Sequence, residues 1–468
     1  MKSKFFNFLE EVIDKIQDYI SKNKRFLIIT HIDADGLSSA TLFLHFLYNN
    51  NAEAHLTYAR QLDEEYIRNL YTRYSEDVLV FLDLGSGIID KIEKIANKDT
   101  IIIDHHDLLS KNVQLGNGNI IQVNPRVFGI DGSREISTSG IVYYLLKSAN
   151  HEFEDIEFLS LVGAIGDLQE NTEFLGINKE ILEELVKKDT IEVRKGLKIF
   201  GYSSRPLYKA LSLSTEVYIP GISGDENKTL EFLNKIGVPI KKKGNLTTYA
   251  DLEKEEERKL ISEIIKIRLQ NNVPNAENII GNIYIIKNDK FYFKDLREIS
   301  YLYNAAGRLE KPFIPVMYFL GDKRYLEDIQ DIQVKYKREM IRILSDIFHK
   351  KIEIKEENGI TMINLSKYNI KDTFVSPISS LLASTKFVGG KLLIVFSSQD
   401  EKYYKISIRI IGEPLVKNLA SIVRESAKKV GGFGSGHDVA AGAIIPKDKL
   451  EEFIKTLKIA AKQESILI

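Results

Sequence analysis

Short apolar runs separated by helix-like stretches set the plan of the first part of the chain. Phe26–Thr30, Val78–Leu82 and Thr100–Ile103 are nearly continuous runs of apolar and β-branched residues. That is the pattern of strands buried on both faces of a parallel sheet. Each run leads at once into a chemically active residue: His31, Asp83 and Asp104. An amphipathic helix over Met1–Ile20 precedes the first run, and a helical stretch near Ser38–Tyr48 follows it. The alternation predicts an α/β domain over residues 1–199, with a parallel sheet flanked by helices. In such sheets ligands bind at the carboxyl ends of the strands.

The pattern changes near residue 200. Gly221, Gly224 and Gly237 punctuate a segment that ends in the charged helix Asp251–Gln270, and residues 200–282 read as a connecting insertion. Beyond it, Ile283–Lys287, Leu392–Phe396 and Tyr404–Arg409 read as strands alternating with helices. A glycine-rich turn, a strand over Ala441–Ile445 and a helix over Lys447–Gln463 close the chain, so a smaller α/β domain is expected over 283–468.

Composition narrows the chemistry. The chain has no cysteine, which excludes disulfides and thiolate metal sites. Any metal is therefore held by imidazole and carboxylate, a set suited to manganese, magnesium, zinc or iron, with manganese or magnesium favoured by oxygen-rich pairs. The first helix carries Glu10, Glu11, Asp14 and Lys15, unlike a signal peptide, and no apolar run reaches membrane-spanning length. A soluble cytoplasmic protein with no membrane partner is expected. Net charge is −1, yet residues 283–468 hold 31 lysines and arginines against 23 acids. A basic half joined to an acidic half that metal would neutralise suits a polyanionic partner. Chance segregation on solvated faces is the plainer alternative.

Three of the eight histidines fall in two short motifs, His31-x-Asp33-x-Asp35-Gly36 and Asp104-His105-His106. Residues two apart in a strand face one side, and a terminal turn gathers nearby ligands onto one point. Asp83 ends another strand and Asp167 follows Gly163–Gly166, so five carboxylates and three imidazoles are delivered toward one edge. Two divalent cations about 3.5–4 Å apart can clamp a phosphodiester, activate water and stabilise a leaving oxyanion, given a shared carboxylate between them. Taken singly, each aspartate serves equally as a helix cap or turn residue.

Together these motifs resemble the four motifs of the DHH phosphoesterase superfamily. The segment Gly431–Gly442, with Ser407 and Arg409 upstream, is similar to the glycine-rich signature of the DHH-associated C-terminal domain. The resemblance implies a DHH domain with a parallel sheet, a connecting insertion and a smaller α/β DHH-associated domain. It makes His31 and Asp33 ligands of one metal, and Asp35, His105 and Asp167 ligands of a second. Asp83 would bridge the two, His106 would lie near the scissile phosphate, and Asp104 would orient an imidazole. Ser407, Arg409, Gly434, Ser435, Gly436 and His437 would bind substrate phosphate. Two divalent cations are implied, manganese by preference and magnesium as the substitute.

The middle segments Ile219–Gly224, Leu296–Glu298 and Asn304–Arg308 look like those of archaeal RecJ-type nucleases, including the group associated with the GINS replication complex. Asn304–Arg308 reads equally as a helix-packing stretch. Bacterial RecJ proteins typically carry aspartate where this chain has His31, which weakens transfer of their strict polarity. The leading expectation is a 5′-to-3′ single-strand DNA exonuclease in repair or replication. A 3′-to-5′ exoribonuclease or short-oligonucleotide phosphodiesterase is the alternative, and a replisome scaffold bound to GINS through the insertion is the third. Elsewhere, Ser137–Gly140 after Asn124–Arg126 reads either as a phosphate contact or as a helix cap.

Overall fold

The computed structural model describes residues 2–108, 119–170, 173–214, 217, 219–271, 273, 275–385, 388–412, 419–437 and 440–463. They fall into two compact units, Met1–Ile332 and Gln333–Ile468.

The first unit opens with α1 (Lys2–Ser21), then β1 (Phe26–His31), α2 (Ala34–Asn49), β2 (Ala54–Ala59), α3 (Glu64–Arg73), β3 (Val78–Leu82), α4 (Ile89–Ile95), β4 (Asp99–Ile103) and β5 (Ile120–Val123). The strands form one sheet in the order β2-β1-β3-β4-β5, every pairing parallel. The three strands expected from apolar runs are present. β2 escaped notice because it is a half-exposed edge strand, Ala54 to Ala59, with no apolar run. On one face Leu27, Ile29, Leu79, Phe81 and Ile102 pack with Ile67, Leu70 and Tyr71 of α3 and Ile92 of α4. On the other lie α2, α5 (Thr138–Ser148) and α6 (Leu159–Gly166), packed on each other, with α2 on β1 and β3 and α5 on β4. Each fully buried apolar side chain here contributes roughly 1.5–3 kcal/mol. The strand order reverses between β1 and β3, and such a switch point opens a crevice at the carboxyl ends of those strands.

After α7 (Gly176–Lys187) and β6 (Ile191–Leu197) comes the insertion, with α8 (Leu207–Ser212), α9 (Glu226–Lys235), the short ladder of β7 (Lys241–Lys242) and β8 (Asn245–Leu246), and α10 (Lys254–Gln270). It has its own core, including Leu211, Phe232, Tyr249, Leu260 and Ile264. β9 (Ile280–Ile286) then returns antiparallel to β6, from Ile191↔Ile286 to Leu197↔Ile280. α11 (Leu296–Arg308) packs on α6 and α2, and α12 (Phe313–Phe319) packs on α2. Residues 283–332 fall in the first compact unit. The strand leaving the insertion pairs with the strand entering it, a non-local pairing that local patterning does not report.

α13 (Leu326–Phe348) crosses the boundary between units. The second unit holds β10 (Ile354–Glu357), β11 (Ile360–Asn364), α14 (Val375–Thr385), β12 (Leu392–Ser398), β13 (Tyr403–Ile410), α15 (Leu419–Lys429), β14 (Phe433–His437), β15 (Ala440–Pro446) and α16 (Leu450–Gln463). Its six-stranded sheet runs β10-β11-β12-β13-β15-β14, and only β11–β12 is parallel. The segment expected as a glycine-rich turn is instead the edge strand β14. It pairs with β15 from Phe433↔Ile444 to His437↔Ala440. Gly434 permits this, because a Cβ there would lie 2.9 Å from the backbone of Val423 and Arg424 on α15. Among the described residues no helix is long and apolar enough to cross a membrane.

Candidate metal centre

Four chain segments deliver the centre. His31 is the last residue of β1, and Asp33 is the N-cap of α2, accepting from the Gly36 amide at 3.1 Å. Asp35 sits in the first turn of α2, fully buried. Its two carboxylate oxygens accept from the Thr138 and Ser139 amides, at 2.7 and 2.9 Å. These are first-turn amides of α5, whose N-terminal dipole favours an anion. The Ser137–Gly140 segment is thus a cap, with Ser137 accepting from Gly140, but the amides it frees hold Asp35.

Asp83 follows β3 with φ +64° and is 2 % exposed. Its Oδ2 lies 3.4 Å from His31 Nδ1, and its Oδ1 lies 3.3 Å from His105 Nε2 and 3.1 Å from Thr138 Oγ1. Asp104, after β4, is buried; its carboxylate accepts from the Ser86 amide at 2.9 Å and faces His106 Nδ1 at 2.7 Å. His105 Nδ1 donates to the Gly132 carbonyl at 2.5 Å, which leaves Nε2 as the lone-pair nitrogen, 3.0 Å from Asp167 Oδ2. Asp167 is the C-cap of α6.

These side chains form three overlapping groups of potential ligands: His31, Asp33 and Asp83; Asp35, Asp83, His105 and Asp167; and Asp83, His105 and His106. Asp83 is common to all three. His31 Nδ1, Asp83 Oδ2, His105 Nε2 and Asp167 Oδ2 are buried yet make no hydrogen bond. His31 Nδ1 lies 2.6 Å from Asp33 Oδ2, close enough to pair but not aligned as a hydrogen bond. Four inward-facing donor atoms left unsatisfied in one place are costly unless a cation takes them. All-imidazole and carboxylate donors, with one carboxylate facing both subsites, fit a pair of divalent cations.

Electrostatics agree with that fit. Burial, with the neighbouring Asp83 charge adding to it, pushes the Asp35 carboxyl up to about 6. Burial likewise raises Asp83, with Asp33 adding to it, and raises Asp167. Burial disfavours charge on His31 and His105, but the aspartates beside them outweigh it and lift both well above the usual imidazole range. His106, also opposed by burial, is lifted to about 9 by Asp104. Asp104 is itself held low, against burial, by His106 and His105. Crowded acids share protons with imidazoles here, as expected where positive charge is needed.

A supporting layer escaped the sequence reading. Gln169 donates to the Gly132 carbonyl at 2.9 Å and accepts from Asn178 at 2.6 Å, which fixes the acceptor that orients His105. The Arg126 Nε donates to the His105 carbonyl at 3.0 Å. A Cβ on Gly132 would lie 2.2 Å from that same carbonyl oxygen. Gln169 lies two residues past Asp167, the only local hint; Asn178 on α7 has none.

The residues named for substrate binding lie in the second unit. On β13, Arg409 donates to Ser376 and Ser380 of α14, each at 3.2 Å. Burial lowers its guanidinium to about 10. Ser407 is buried with its hydroxyl 2.7 Å from that of Ser379, so it supports this surface from beneath. Ser435 pairs with Gly442, itself paired with Ser407, so the three lie in one row across β14, β15 and β13. Gly434 is buried, Gly436 has φ +145°, and His437 ends β14 with its side chain outside the described residues.

Comparison with known proteins places this geometry. Family models match the DHH family, N-terminal domain over residues 25–164, the DHH-CID domain over 199–280 and the DHHA1 domain over 357–463. An uncharacterized protein of Methanocaldococcus jannaschii is 32% identical over 451 residues, 96% of either chain. The single-stranded-DNA-specific exonuclease RecJ of Bacillus subtilis is 27% identical over 171 residues, 34% of this chain and 21% of that protein. Among solved structures, CDC45 from Entamoeba histolytica has a similar fold, with TM-score 0.61 at 14% identity over 98% of this chain and 99% of that one. RecJ from Thermus thermophilus, solved with Mn2+, gives TM-score 0.56 at 13% identity over 97% of this chain and 55% of its own. Three domain matches in order and a full-length relative at that identity mean that this chain belongs to the DHH superfamily, as a RecJ-like member.

Proposed function

We propose that the protein is a two-cation phosphodiesterase that removes nucleotides from an end of single-stranded nucleic acid, in the leading form a 5′-to-3′ DNA exonuclease of repair or replication. The observation that carries this reading is the Asp83 carboxylate, placed between two groups of otherwise unsatisfied ligand atoms. His31 and Asp33 would hold one cation, Asp35, His105 and Asp167 the other, with Asp83 shared; manganese is preferred and magnesium is the substitute. When bound, such a pair activates water and stabilises the leaving oxyanion. Asp104 engages Nδ1 of the half-exposed His106, so Nε2 is the ring nitrogen left to donate to a phosphate oxygen. Asp104 thereby fixes the orientation of that imidazole.

The Arg409 guanidinium, which among the described residues donates to hydroxyl and carbonyl oxygens, supports a phosphate-binding role for the second unit. Replacing Arg409 with alanine should raise KM at least tenfold and leave manganese affinity unchanged. Equal KM would remove that residue from the reading. The RecJ relative supports single-stranded DNA as substrate, while RNA removed from the 3′ end remains the alternative that matched DNA and RNA strands separate. A second role, a replisome scaffold binding GINS through the insertion at residues 200–282, is supported by the likeness in fold to CDC45. Co-purification of full-length protein and a variant lacking the insertion tests it.

A further inference from the structure

α11 enters the centre from far along the chain. α2 begins at Ala34, and a first-turn amide has no acceptor within its own helix. Asp33 takes the Gly36 amide. The Ala34 amide is taken by Asn304 Oδ1 of α11, at 3.3 Å. One turn on, Gly307 lies so close to the same loop that a Cβ would stand 1.8 Å from the Ile32 carbonyl oxygen. One turn earlier, Ser300 Oγ faces Gly166, whose own added Cβ would meet it at 3.2 Å and the Ala34 side chain at 2.6 Å. Residues 300, 304 and 307 share one helical face. That face presses on the turn Ile32–Ala34, which carries Asp33 between its flanking residues.

The helix is fixed at its other end as well. Arg297 grips Glu170 with two hydrogen bonds of 2.9 and 2.7 Å, and Tyr284 of β9 donates to the same carboxylate at 3.1 Å. Glu170 lies three residues beyond Asp167. α11 is therefore tied to the first ligand turn directly and to the segment after Asp167 through a buried ion pair.

We propose that Asn304 and Gly307 are positioning residues for the His31–Asp33 subsite, setting the turn that aims those ligands; this rests on the two-cation reading above. Removing a supporting partner of a metal ligand typically lowers affinity about 10–100-fold. The helix-packing alternative predicts lost stability with metal affinity unmoved.

The test is manganese titration of the full chain, followed by electron paramagnetic resonance of free Mn2+, beside thermal unfolding in chelator. Asn304→Ala should weaken one of two binding steps about 10–100-fold and leave the unfolding temperature in chelator near that of the parent. Asn304→Asp keeps an acceptor for the Ala34 amide and should restore that step. Gly307→Ala should weaken the same step, and if it fails to fold, the Asn304 pair decides. Unchanged affinity in Asn304→Ala, with two manganese ions bound by the parent, would overturn the positioning role alone. A parent that binds no manganese would overturn both this role and the cation centre.

Discussion

Asp83 combines three demands on one residue: burial, a left-handed backbone at φ +64° and membership of all three groups of potential ligands. Aspartate and asparagine tolerate that conformation better than other non-glycine residues. Asp83→Asn should therefore keep the fold and lower hydrolysis by more than the roughly 10–100-fold cost of losing a supporting residue. Far-ultraviolet dichroism with single-turnover rates checks both halves. Gly163→Ala makes a different prediction, because its Cβ would lie 2.0 Å from Asp35 Oδ1 and 2.2 Å from Ser139 Oγ. Overpacking of that kind costs roughly 1–3 kcal/mol, so unfolding in chelator should fall to lower temperature and manganese binding should weaken. The candidate ligands were legible in the sequence as residue types, because histidine and aspartate at strand ends are the side chains that can hold a divalent cation. Gln169 and Asn178 were not, since a buried amide declares its role only through neighbours brought in by the fold.

At the scale of elements, the end of α2 meets the segment after α5 through two histidines, His45 Nδ1 and His151 Nε2, 3.0 Å apart. Burial, with His45 beside it, pushes the His151 pKa down to about 4. The unfolded chain titrates near about 6.5 and so binds more protons than the folded chain between the two values. This contact's contribution to stability is complete above about 6.5, falls as pH drops toward about 4, and changes no further below that. Urea midpoints across this window should decline less steeply in His151→Gln than in the parent, and equal slopes would refute the assignment. Elements with continuous apolar runs, β1, β3 and β4, were legible because burial on both faces leaves that mark. β2 and β14 were not: one is a half-exposed edge strand, and the other carries two glycines, of which Gly434 packs against α15 and Gly436 against β15.

At the scale of the molecule, the insertion has its own core and hangs between paired strands β6 and β9, so the chain returns from it to α11 and the centre. Charge and periodicity change near residue 283, while strand pairing continues across that point. A ligand that binds only the folded state stabilises it by about 2.7 kcal/mol at a hundredfold excess over its dissociation constant. Manganese should therefore raise the unfolding temperature of the parent, and chelator should reverse it, while Asp83→Asn should respond weakly. The most direct measurement of the central claim is product analysis on 5′- and 3′-labelled single strands of DNA and RNA, with manganese and with chelator. Manganese-dependent release of mononucleotides from the 5′ end of DNA is the predicted result. Absence of cleavage of every strand by protein shown to hold two manganese ions would contradict it.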